Sequence, residues 1–163
     1  LKIRLSVYGE NHSRVASVYN DIGEIYSVQG DDFKALDYFK KSLKIVLSVY
    51  GENHSQVSSI YDHIGEIYFA QKDYSKALYY FEESLKIRLS LFGENHPEVA
   101  LSYYSIGSLY IIQGDKSKAL NYYEKSLKIR LSVYGENHPL TKEIMDLINV
   151  ANSKVLQSPE TTK

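Results

Sequence analysis

The sequence has 163 residues, 44% of them hydrophobic and 24% charged, with a formal net charge of -1. That balance excludes a disordered chain and leaves no bulk basic field to attract nucleic acid or an anionic membrane surface. There is no apolar run near the ~18 residues that a membrane-spanning helix needs, and the absence of cysteine excludes disulfides and thiolate metal sites.

Taken in chain order, residues 1–8 repeat the last two turns of a helix found again further on, which predicts a partial helix whose Ile3 and Leu5 lack a partner and a chain excised from a longer array. No signal-peptide pattern opens the sequence, and a cytoplasmic location is expected. The sequons at Asn11 and Asn53 read as accidents of the repeat. Residues 42–54 read SLKIVLSVYGENH, residues 84–96 SLKIRLSLFGENH and residues 126–138 SLKIRLSVYGENH, a spacing of 42 residues. A period of that size marks stacked supersecondary units that cannot bury their apolar faces alone. Three full units follow, 13–50, 55–92 and 97–134.

Each unit carries two helical patterns. In the first, Val15, Val18, Tyr19, Ile22, Ile25 and Tyr26 recur at helical spacing from about Ser13 to Gln29. Gly30 then suits a left-handed C-terminal position, and Asp31 or Asp32 an N-cap. The second pattern, from about Phe33 to Tyr50, carries Leu36, Phe39, Leu43, Val46 and Leu47 and stops at Gly51. Pro97 suits the first turn of a helix. Gly23, Gly65 and Gly107 fall inside first helices, where each costs about 1 kcal/mol relative to Ala. Their recurrence predicts close approach of the second helix, with Ala35, Ala77, Ala119, Ser42, Ser84 and Ser126 as the matching small residues. After residue 138 the pattern of a first helix runs over 139–156, with Asn149 at the glycine position and Leu140, Ile144, Leu147, Ile148, Ala151 and Val155 on one face. This predicts a capping helix, followed by a disordered tail over 158–163.

Tyr19, Ile22, Gly23, Tyr26, Ala35, Phe39 and Ser42, matched by Tyr61, Ile64, Gly65, Tyr68, Ala77, Phe81 and Ser84 and by Tyr103, Ile106, Gly107, Tyr110, Ala119, Tyr123 and Ser126, resemble the tetratricopeptide repeat. The longer period resembles the kinesin light chain variant of that repeat. The resemblance implies an all-α fold, a right-handed α-α superhelix of antiparallel helix pairs, as one array over 1–157. The chain departs from the family at Lys72, where a glycine is usual between the helices. The aromatic that often follows is also replaced, by Asp32 and Lys116, and kept only as Tyr74.

The same resemblance implies that the first helices line a concave peptide-binding groove. The positions it assigns are Ser17, Asn20, Asp21, Glu24 and Ser27, then Ser59, Asp62, His63, Glu66 and Phe69, then Leu101, Tyr104, Ser105, Ser108 and Ile111, with Glu143 and Asp146 from the cap. One half of that set is acidic and the other apolar, so the expected partner is an extended protein segment that is basic toward one end and hydrophobic toward the other. The carboxylate-clamp members of the family grip acidic tails with cations. Here the matching residues are Asn20, Glu24, His63, Leu101 and Ser105, so acidic tails are not expected to bind. The Asn slot that holds peptide backbone in kinesin light chains is Asp21, His63 and Ser105, a further departure.

Other chemistry is not expected. The His residues of the Gly-Glu-Asn-His turns recur once per unit, about 9 Å or more apart in stacked helices, too far for shared zinc ligation, and read as turn caps. His63 has no Ser, Asp or Cys arrangement that would make it catalytic. Glu24 and Glu66 read as groove wall, and twelve of the 16 Tyr fall in four repeated structural slots without the basic residues that stacking on nucleic acid requires. No enzyme, cofactor, metal, nucleic-acid or membrane partner is expected. The competing readings are end-to-end self-association through the opening and closing helices, and a designed consensus array without a native ligand.

Overall fold

The computed structural model describes residues 13–153, so the opening partial helix, Asn11, Val155 and the tail lie outside the described residues. Among the described residues there are seven helices and no strand: α1 Ser13–Val28, α2 Asp32–Tyr50, α3 Ser55–Ala70, α4 Tyr74–Phe92, α5 Pro97–Ile112, α6 Lys116–Tyr134 and α7 Pro139–Ser153. The chain divides into two compact units, Leu1–Leu91 and Phe92–Lys163.

In the first unit α1 and α2 form an antiparallel hairpin, since Gly23 meets Phe39 while the earlier Ala16 meets the later Ser42. The turn between them is a helix C-terminus closed by Gly30 at φ 75°, with Asp31 N–H donating to Tyr26 O at 2.9 Å. Asp31 is the N-cap of α2. Its carboxylate accepts from Lys34 N–H at 3.2 Å, which starts the helix at Asp32, one residue before the apolar pattern. The turn before α4 has the same shape with Lys72 at φ 62°, the one non-glycine residue at positive φ among the described residues. A side chain there is held against its backbone preference.

The recurring glycines meet the paired second helix closely, as expected, and what fills the space is chiefly an aromatic ring. A Cβ at Gly23 would lie 2.7 Å from Phe39 Cε1, one at Gly65 2.7 Å from Phe81 Cε1, and one at Gly107 2.7 Å from Tyr123 Cδ1. Each glycine makes room for a buried aromatic ring of the paired helix, and Gly107 also for the backbone of a small residue, with Ala119 O 3.3 Å from the added Cβ. The small residues form a second seam: Ser42 Oγ donates to Ala16 O and Ser126 Oγ to Ala100 O, both at 2.8 Å, beside fully buried Ala35 and Ala119. Tyr38, Tyr80 and Tyr122 stack on Tyr26, Tyr68 and Tyr110 of the facing helix, with centroids 5.6, 5.7 and 5.7 Å apart. Lys34, Lys76 and Lys118 sit over the Tyr26, Tyr68 and Tyr110 rings at 4.9, 5.0 and 5.0 Å, so these tyrosines are structural.

Among the described residues, two of the apolar positions expected on buried helix faces meet water instead of the core. Ile25 is 55% exposed, because the α1–α2 seam runs through Ala16, Gly23 and Tyr26 and leaves it on the far side. Leu140 is 42% exposed at the start of α7, where the buried contact is made by Thr141, with Ile144 and Ala151 completing the covering face.

Candidate functional site

In the first unit the structure separates the predicted acidic residues into two kinds. Asp21, Glu24 and Glu66 are exposed on α1 and α3. Glu24 accepts from the Asn20 amide at 2.5 Å and lies 3.8 Å from His63 Nε2, so Asn20, Glu24 and His63 come together. The His63 ring rests 5.0 Å from Phe39. Asp62 instead turns inward, 17% exposed, and pairs with Arg88 Nη1 at 2.6 Å. Burial pushes its carboxyl up, and the Arg88 guanidinium and Ser84 hydroxyl oppose that without overcoming it. Phe69 packs edge-on against Tyr74 at 5.9 Å and is half-buried. Asp62 and Phe69 therefore hold the framework together more than they face a ligand.

In the second unit Leu101 and Ile111 are exposed, at 45% and 37%. Tyr104 is committed: its hydroxyl donates to Glu143 at 3.2 Å and the Arg130 guanidinium carbon lies 5.0 Å over its ring. Burial raises its phenol, with Glu143 adding to the effect. Ser108 donates to Tyr104 O at 2.9 Å and shares a hydrogen bond with the Tyr123 hydroxyl. Ile111 lines an apolar pocket of about 190 Å³ with Tyr123, Leu147, Val150 and the stem of Lys116.

Sequence reasoning missed Arg88 and Arg130, which are 3% and 4% exposed. Arg130 Nη1 donates to Leu140 O at 2.5 Å and to Glu143 at 3.3 Å. The signal was present, because the otherwise constant segment reads SLKIVLS once and SLKIRLS twice. A buried arginine held by carboxylate and carbonyl is an internal tie, not part of a ligand-facing surface.

The turn histidines act as caps. Nδ1 of His54, His96 and His138 accepts from the backbone N–H two residues on, at 3.2, 3.2 and 3.3 Å. Each ring stacks on Tyr50, Phe92 or Tyr134 at 4.2 to 4.5 Å. Among the described residues no group of three His, Asp or Glu is placed to hold a metal, and no helix is long and apolar enough to cross a membrane.

A tetratricopeptide repeat family model matches residues 14–90 and 56–132. The chain belongs to the tetratricopeptide repeat family. No curated protein sequence matches it. Among solved structures it is similar to the apo form of RapI, with 19% identity and a TM-score of 0.80 over 95% of this chain and 54% of that one. BtubC (BKLC) from P. vanneervenii is similar at 20% identity and a TM-score of 0.72, over 91% and 67% of the two chains. The nearly identical TPR-like repeats of a putative kinesin light chain from Podosopora anserina align at 14% identity and a TM-score of 0.70, over 96% and 84%. At these identities the likeness shows the fold: an all-α tetratricopeptide repeat superhelix with kinesin light chain-like neighbours. This is the architecture of a protein-interaction scaffold.

Proposed function

We propose that this tetratricopeptide repeat chain binds an extended segment of a protein partner that is basic in one part and hydrophobic in another, and that it performs no catalysis. The observation that carries the reading is the exposure of Asp21, Glu24 and Glu66 on α1 and α3, where among the described residues the one basic side chain near them is His63, 3.8 Å from Glu24. Lys or Arg of the partner would meet these carboxylates. A Leu or aromatic residue would enter the pocket lined by Ile111, Leu147 and Val150. Asp62, paired with Arg88, takes no part in this reading. With few cations on the same faces, acidic tails of the carboxylate-clamp type do not fit.

The test is fluorescence anisotropy with a library of labelled peptides. Basic-plus-apolar peptides are expected to bind with micromolar affinity, about -8 kcal/mol, and the Glu24→Lys plus Glu66→Lys variant to lose them. Binding that survives the double variant, or micromolar binding of an acidic tail, overturns the reading.

A further inference from the structure

In the second and third repeats one position of the second helix carries a buried arginine, Arg88 and Arg130, and the first repeat fills it with Val46. Arg130 finds its partners at Leu140 O, Glu143 and the Tyr104 ring. Counting back 42 residues and then 42 again, Val46 takes the place of Arg88 and Arg130, Asn20 that of Asp62 and Tyr104, Gln56 that of Leu140 and Ser59 that of Glu143. These first-unit residues line a cavity of about 170 Å³ between α1, α2 and α3, with Ser17 and the exposed Asp21 at its edge. Two side-chain oxygens lining it, Asn20 Oδ1 and Gln56 Oε1, are buried without a hydrogen-bond partner. Glu24 fixes the sense of the Asn20 amide by accepting from its nitrogen, which leaves the oxygen for the cavity. Buried acceptors without donors are costly, and a planar fork of N–H donors matches two amide oxygens with a carboxylate at the rim.

We infer that this cavity is a specific seat for the guanidinium of an arginine side chain supplied by the partner, in the place that Arg88 and Arg130 occupy from within the chain. The inference rests on the groove reading above and sharpens it, because it requires arginine rather than any cation at one point of the partner segment.

Two measurements test it. In NMR titrations, N-acetyl-arginine amide should move the side-chain amide signals of Asn20 and Gln56. The lysine and citrulline analogues should not, one lacking the planar fork and the other the charge. In anisotropy, a partner peptide should bind about tenfold more tightly with Arg than with Lys at the seated position. Val46→Arg, which supplies the guanidinium from within, should bring that ratio to one. An unchanged ratio in folded Val46→Arg, or an equal response to citrulline, overturns the seat. Should Val46→Arg fail to fold, Gln56→Leu replaces it: the ratio should fall toward one, and an unchanged ratio again overturns the seat. The two readings fail separately: Lys and Arg peptides that bind equally but are both lost on Glu66→Lys overturn the seat alone, while loss of sensitivity to Glu66→Lys overturns the groove.

Discussion

Asp62 and Arg88 in the second repeat stand where Asn20 and Val46 stand in the first repeat. Transplanting the Asn20/Val46 pair into the second repeat, as Asp62→Asn, Arg88→Val and both together, measures what the buried pair contributes. Asp62→Asn leaves a guanidinium only 4% exposed without its carboxylate, and Arg88→Val leaves an inward carboxylate 17% exposed without its cation. Removing one partner of a buried pair is strongly destabilising, and each single change is expected to cost about 2–3 kcal/mol. Replacing both together leaves no unpaired charge, so the double variant should fall within about 1 kcal/mol of the parent, a coupling of about 3 kcal/mol or more. Urea unfolding followed by circular dichroism gives the four values. The pH dependence gives an independent check. Burial holds the folded Asp62 carboxyl above its ordinary range. The stability from its bound proton is complete below the unfolded carboxylate's range and is lost as pH rises through the folded value. The double variant lacks that titration, so the parent's advantage over it should shrink across the same window. Additive single-variant costs would refute the reasoning, because they would mean that neither charge depends on the other.

Lys72→Gly should raise the thermal midpoint. Relief of the left-handed backbone, worth about 1–2 kcal/mol, is partly offset by the greater freedom of glycine in the unfolded chain, leaving a gain of about 0.5 kcal/mol; a lower midpoint contradicts the strain seen at φ 62°. Gly65→Ala should destabilise by about 1 kcal/mol, since crowding of the Phe81 ring at 2.7 Å outweighs the better helix propensity of alanine. The same change made together with Phe81→Leu should cost less, and an equal cost in both backgrounds would mean that the ring is not what the glycine accommodates.

The repeat made most of the framework legible in advance. Helix pairs, turn glycines, capping histidines and tyrosine slots all recur at a fixed interval, and recurrence reports on stacking. Legibility stopped where stacking and solvent compete for one position. Ile25 fits the helical period as well as Tyr26 does, yet only Tyr26 meets the facing helix. Asp62 and Glu66 lie one turn apart on α3 and read alike, but the first reaches a buried arginine and the second water. That difference depends on Arg88, 26 residues further on, whose long side chain spans the hairpin. Among the residues assigned to the groove, Tyr104 and Ser108 bond internally for the same reason, since position along one helix does not specify what the neighbouring helix presents.

A chain that writes one helix ending four times invites copies to dock against the wrong neighbour while folding, because most of their contacts are interchangeable. The Val46/Arg88 difference works against that error. The α2 ending laid in place of the α4 ending would set valine beside the inward carboxylate of Asp62 and leave that carboxylate without Arg88. Small departures from perfect periodicity in the core thus act as address labels that penalise misthreading while the correct arrangement forms.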